Sequence, residues 1–265
     1  MDKYFSFQRF AGLTLHYLYT MKRNPTRLIE ILVWPSLELV LFSFLASAIS
    51  SVDNVSIRVG LGILSGVVFW NFFARIIQET IAQFLDDAFS KNIQNLLITP
   101  LTLSEIVMSL FFSSLIKMSL SFIFLSLFLV FFYPLFFASV GTQVITWVAL
   151  LVLWGCVLSL TALSLVFLFG ERMSFIGWFL STVIQIFSCV FYDRSVLPPL
   201  FYYISFLVPS SYVFQTMRVY LATGSIVKSQ LVVALMLIVL YFLVSVILFQ
   251  LSFHYAKKLG TLTKT

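Results

Sequence analysis

Few side chains in this 265-residue chain could do chemistry, and their spacing narrows what that chemistry is. Ser65 sits in Gly62-Ile63-Leu64-Ser65-Gly66, which has GxxxG spacing and not the GxSxG of a nucleophile elbow. The two histidines, His16 and His254, fall near one edge of the apolar stretches, remote from Ser65, so a Ser–His pair is not expected. Cys156 and Cys189 lie inside apolar stretches as packing residues, with no disulfide framework, and no ligand spacing marks a metal site. No GxxxxGK[ST] run is present, so a P-loop for ATP is not expected in this chain. Two charges stand out instead. Glu38 and Lys117 lie within apolar stretches, where each charge costs about 2.5–3.5 kcal/mol to insert. Glu38 is roughly 15 Å into the first stretch and Lys117 at comparable depth in the third, so the two could pair across a bundle. Two readings stay open for them: a polar contact to a substrate or gate, and a structural ion pair. Arg75 and Glu79, at i and i+4, read as a local pair.

These residues must be positioned by membrane helices. Hydrophobic residues make up 61% of the chain and charged residues 10%, too few polar groups to cover a soluble fold of this length. A helical span needs about 20 apolar residues, and six stretches qualify: about 28–50, 57–79, 104–132, 141–169, 174–191 and 230–254, the fifth being the shortest. The runs are continuous, not alternating, which favours helices over a membrane barrel. The predicted fold is therefore all-α, a polytopic six-span bundle. Lys and Arg concentrate on the side that holds the N-terminus, including Lys22, Arg23, Arg27, Arg172, Lys257 and Lys258, so both termini are predicted to be cytoplasmic. The net charge of +6 follows from this asymmetry, and no nucleic-acid partner is expected.

Three segments outside the spans carry the remaining signals. Residues 1–25 are predicted to form a cytoplasmic amphipathic helix in the lipid interface, with Phe7, Phe10, Ala11, Thr14, Tyr17, Leu18 and Met21 on one face; the alternative is a solvated tail. Residues 86–100 are predicted to form a short helix started by Asp86 or Asp87 and stopped by Pro100, with Phe89, Ile93, Leu96 and Leu97 along one face. That helix is too short and polar to span, so its apolar face calls for a docking partner or packs back on the spans. In the outer segment 192–228, an apolar run from Leu200 to Val208 is bracketed by Pro198-Pro199 and Pro209. It is too short to cross and too apolar for an open loop, and is predicted to be a re-entrant hairpin. The region 26–254 then forms the transmembrane domain and 255–265 a cytoplasmic tail.

Taken together, these residues resemble the ABC-2 family, the membrane permease subunits of ATP-binding-cassette exporters. Lys91-Asn92-Ile93-Gln94-Asn95-Leu96-Leu97-Ile98-Thr99-Pro100-Leu101 is similar to the family's N-x-x-x-L-L-x-x-P segment before the third span. Phe191-Tyr192 followed by Leu197-Pro198-Pro199 resembles its segment after the fifth. Pro209, Tyr212 and Arg218 resemble its N-P-x-x-Y … R tail, with Val208 in place of the usual Asn. The resemblance covers nearly the whole chain in span order. It implies a permease homodimer in the cell (inner, cytoplasmic) membrane of a prokaryote, working with two separate ATPase subunits that bind ATP and Mg, and no cofactor or enzymatic activity of its own. Phe89, Lys91, Asn92, Ile93, Gln94, Leu96, Leu97 and Pro100 would couple to the ATPase. Tyr192, Pro198, Pro199, Tyr203, Pro209, Tyr212 and Arg218 would narrow the outer exit. Cargo would be an amphipathic, lipid-linked or glycan molecule or a drug. The competing reading from the residues is an ATP-independent membrane channel or scaffold component.

Overall fold

The computed structural model describes residues 5–50, 57–90, 99–132 and 141–259. Among these, every regular element is helical: α1 (Phe7–Arg23), α2 (Pro25–Ser50), α3 (Ile57–Phe89), α4 (Leu103–Phe132), α5 (Val144–Phe169), α6 (Ile176–Phe187), α7 (Pro199–Ser205), α8 (Pro209–Thr223) and α9 (Lys228–Leu259). Five helices are long and apolar enough to cross a membrane: α2, α3, α4, α5 and α9. The chain therefore has the build of a multi-pass membrane protein. The fifth predicted stretch, 174–191, holds α6, whose 12 residues rise about 18 Å against a hydrocarbon core of about 30 Å. Ser188 and the left-handed Cys189 (φ 52°) end it early.

The bundle is built around α3. Of its apolar window, 89% is buried, against 17% for α9 and 22% for α2, so α3 is the core and the outer helices turn apolar sides away from the bundle. It packs against α2, α4, α5, α6 and α8. Small residues permit the closest approaches. A Cβ on Gly155 of α5 would lie 2.8 Å from the Ile76 side chain, and one on Gly66 would lie 2.8 Å from the Val190 carbonyl oxygen. Gly62, the other half of the GxxxG spacing, faces open space. The pair thus divides, with Gly66 used for internal packing. Gly66→Ala should destabilise the protein by about 1–3 kcal/mol, because backbone must move, and Gly62→Ala should be tolerated. Thermal unfolding of the two variants in detergent checks this.

α1 lies across the bundle where α2 begins and α3 ends. It buries Leu13, Thr14 and Tyr17 against α4 and the end of α3, while Phe7, Leu15 and Tyr19 are exposed. The side that packs on the protein's own helices adds Leu13 and overlaps the predicted apolar face at Thr14 and Tyr17, while Phe7 of that face points out of the bundle.

Candidate functional site

Asn71, Arg75, Glu79, Gln83 and Asp87 recur every fourth residue along α3 and are all buried, so they form one polar stripe in an apolar helix. Each rung has a partner on another element or on its own turn. The Asn71 amide donates to the Val67 carbonyl of its own turn at 3.0 Å. Arg75 donates to the Glu30 carbonyl at 2.9 Å and stands over the Trp178 ring at 5.9 Å. Glu79 pairs with Lys117 of α4 at 3.8 Å. The Gln83 amide donates to Ser114 at 2.8 Å and its oxygen accepts from Ser113 at 2.6 Å. Asp87 accepts from the Tyr17 hydroxyl at 2.8 Å. Two pairings differ from the sequence expectation. Lys117 goes to Glu79, not to Glu38, and Glu79 reaches across to α4 instead of pairing locally with Arg75. The i, i+4 spacing put Arg75 and Glu79 on one face; their neighbours decided the partners.

At the α1 end, Asp86 and Asp87 are the last turns of α3, not the start of a new helix. Carboxylates are unfavourable near a helix C-terminus, and here tertiary partners offset that: Arg27 holds Asp86 at 2.6 Å, and Tyr17 holds Asp87 with His16 at 3.9 Å. Burial, and then the Asp87 carboxylate, push the Tyr17 phenol well above its ordinary range, so it stays a donor. Phe89 ends α3 exposed, and Pro100 lies in an exposed turn. Lys91, Asn92, Ile93, Gln94, Leu96 and Leu97 lie outside the described residues.

Glu105, which the sequence reading passed over, fastens the next segment. Thr102 and Glu105 form a capping box: the Thr102 amide donates to Glu105 Oε2 at 2.6 Å and the Glu105 amide to Thr102 Oγ1 at 3.3 Å. Glu105 Oε1 also accepts from the Ser6 amide at 2.6 Å and from Arg9 at 3.0 Å. One fully buried carboxylate therefore ties the start of α1 to the start of α4. The Thr-x-x-Glu spacing was the available signal.

At the opposite end, Pro199 and Pro209 each occupy a first helical turn, of α7 and α8. The turn between these helices reaches far along α9: the Leu207 carbonyl accepts from the Tyr241 hydroxyl at 2.9 Å, about 20 Å along α9 from Lys228. The other end of α8 is level with the start of α5, where Tyr220 meets Trp147 at 5.6 Å between ring centroids. Arg218 donates to the carbonyls of Cys189 and Val190, and at 3.0 Å to Gln215. Those carbonyls follow the end of α6, so a cation sits where the helix dipole is negative. Arg194 lies over Phe206 (4.0 Å) and Tyr212 (4.8 Å) and donates to Ser211 at 2.8 Å. Tyr212 and Tyr192 donate to the carbonyls of Phe206 and Ile186. The Ser195 amide, followed by the Gln215 side chain, holds the Asp193 carboxyl below the ordinary carboxylate range. Val208, at the α8 N-cap, supplies no side-chain bond. Of the predicted gate residues, Arg218, Tyr192 and Tyr212 bind backbone, Pro209 is buried, and Pro198, Pro199 and Tyr203 are exposed.

A cleft of about 570 Å³ opens between the start of α2, the second half of α3 and α6, lined by Arg27, Glu30, Trp34, Arg75, Asp86 and Trp178 among others. Comparison of the chain with protein-family models gives no match, and comparison with curated proteins gives none either.

Proposed function

We propose that this chain is the membrane-spanning permease subunit of an ATP-driven exporter of the ABC-2 type, worked by two separate ATPase subunits and paired with a second copy of itself. The observation that carries the reading is α3. One unbroken helix of 33 residues, about 50 Å long, packs at Gly66 against Val190 beside the α7–α8 pair and ends about 35 Å further on at Phe89, next to the segment that resembles the family's coupling helix. Its polar rungs bind α1, α2 and α4, so a push on the 86–100 region would move the bundle's centre and the far hairpin as one body. The α7–α8 pair, reaching some 20 Å down α9, supports a re-entrant outer hairpin. In a six-crossing reading, α6 climbs from Gly177 beside Ile81 to Val190 beside Gly66, and the hairpin fills the rest of the depth. Arg27, Arg172, Lys257 and Lys258 belong to helix ends on the α1 side, which supports placing that side in the cytoplasm of a prokaryotic cell.

Charge substitutions in the coupling segment test the reading. Leu96→Asp or Leu97→Asp should leave the chain inserted and folded and lower transport-linked ATP hydrolysis in the complex by tenfold or more, since a charge in a desolvated docking contact costs several kcal/mol. Normal coupling in both variants would remove the docking role.

A further inference from the structure

We infer that the cleft between α2, α3 and α6 binds an amphipathic organic cation, its ammonium-type head between Glu30 and Asp86 and its apolar body against Trp34 and Trp178. Three observations converge on that chemistry. First, the cations in the wall are already engaged. Arg27 is held by Asp86 at 2.6 Å with Glu30 at 3.9 Å, and Arg75, only 5% exposed, donates to the Glu30 carbonyl and covers one face of Trp178. The carboxylates face the opening instead: the Glu30 side chain is 56% exposed and that of Asp86 49%, against 23% for Arg27. Behind the wall the Glu79 carboxylate is already paired with Lys117. The cleft is therefore acidic at its mouth in a chain whose net charge is +6. The four charges of the lining balance, and an arriving ligand meets the two more exposed carboxylates first, which favours a cation over an anion.

Second, two large indoles are half-exposed in the same cleft, Trp34 and Trp178. Indole is the strongest cation–π surface among side chains, and a carboxylate beside an aromatic face is the usual recognition of substituted ammonium groups. Third, the cleft has an apolar exit. Val33, Leu37, Leu41 and Phe44 are exposed in a stripe up α2 from Trp34, so a ligand with a cationic head could keep its tail along α2. The volume, about 570 Å³, suits a single small molecule. Binding stands without the permease proposal; a role for the cleft in loading cargo rests on it.

The test uses the full chain in dodecyl maltoside micelles and two probes of the same size and shape but opposite charge, radiolabelled tetraphenylphosphonium and tetraphenylborate, with empty micelles subtracted. The expected result is saturable, one-site binding of the phosphonium only, weakened about tenfold in Glu30→Gln and in Trp34→Leu. Glu30 is exposed and only loosely paired, so its variant should fold. Displacement by lysophosphatidylethanolamine would assign the site to a lipid headgroup, and displacement by lipophilic cations alone would assign it to a soluble amphiphile. Equal or tighter binding of tetraphenylborate, absence of saturable phosphonium binding, or unchanged affinity in both variants would overturn the inference. So would spontaneous Trp34→Cys crosslinking between copies that the phosphonium fails to compete, which would make the cleft a subunit contact. Because no ATPase is present, failure here leaves the permease reading standing, and failure of copurification with an ATPase leaves the binding result intact.

Discussion

Replacing Lys117 by methionine should lower stability by about 3–5 kcal/mol, because it strands the Glu79 carboxylate among α3, α4 and their neighbours without its cation. Glu79→Gln should be destabilising in the same direction, since Lys117 then becomes the unpaired charge. The informative variant is the double one. Lys117→Met combined with Glu79→Met removes both charges from a site where each side chain is about 5% exposed or less, so much of the loss should be recovered. Thermal unfolding in detergent, followed on the fluorescent-tagged chain by size exclusion, reads all three. Single variants as stable as the parent, or a double variant no better than the singles, would mean that the pair is not what holds α3 to α4.

Arg218→Ala is the second large effect expected. It removes the donor to the Cys189 and Val190 carbonyls and to Gln215, at a point where Cys189 already sits in the left-handed region. Two carbonyls left without a charged donor should cost about 3 kcal/mol. The loss should also open the junction between α6 and the α7–α8 pair. In a Cys156→Ser background, the buried Cys189 thiol should therefore become reactive toward maleimides in Arg218→Ala and stay protected in the parent. Arg218→Lys, which keeps the charge but not the fork, should fall between. Unchanged protection in Arg218→Ala would assign the junction to packing instead.

Much of the architecture could be read from residues. Continuous apolar runs gave the long helices, and Pro198-Pro199 and Pro209 marked where α7 and α8 begin, because proline tolerates a first helical turn. The errors have physical causes. Asp86 and Asp87 look like helix caps in isolation; Arg27 and Tyr17, far away in sequence, make them the end of α3. The length of α6 was not legible because Ser188-Cys189-Val190 is as apolar as a span, and its break depends on Arg218 from a later helix. Partner choice for Lys117 depends on helix rotation, which spacing within one helix does not fix. The polar rungs of α3 were legible at every fourth residue, but only Arg75 and Glu79 draw the eye, since Asn71 and Gln83 carry no charge. Glu105 was legible as the fourth residue of a capping box, and its second set of bonds, to Ser6 and Arg9, was not.

In the proposed exporter this chain is one of two components. Purifying the tagged chain in mild detergent and taking its native mass, with the copurifying proteins identified by mass spectrometry, tests it most directly. The expected result is two copies of this chain with two P-loop ATPase chains. A lone chain or a self-assembly, under conditions that keep other permease–ATPase complexes intact, would contradict it and favour a channel or scaffold component.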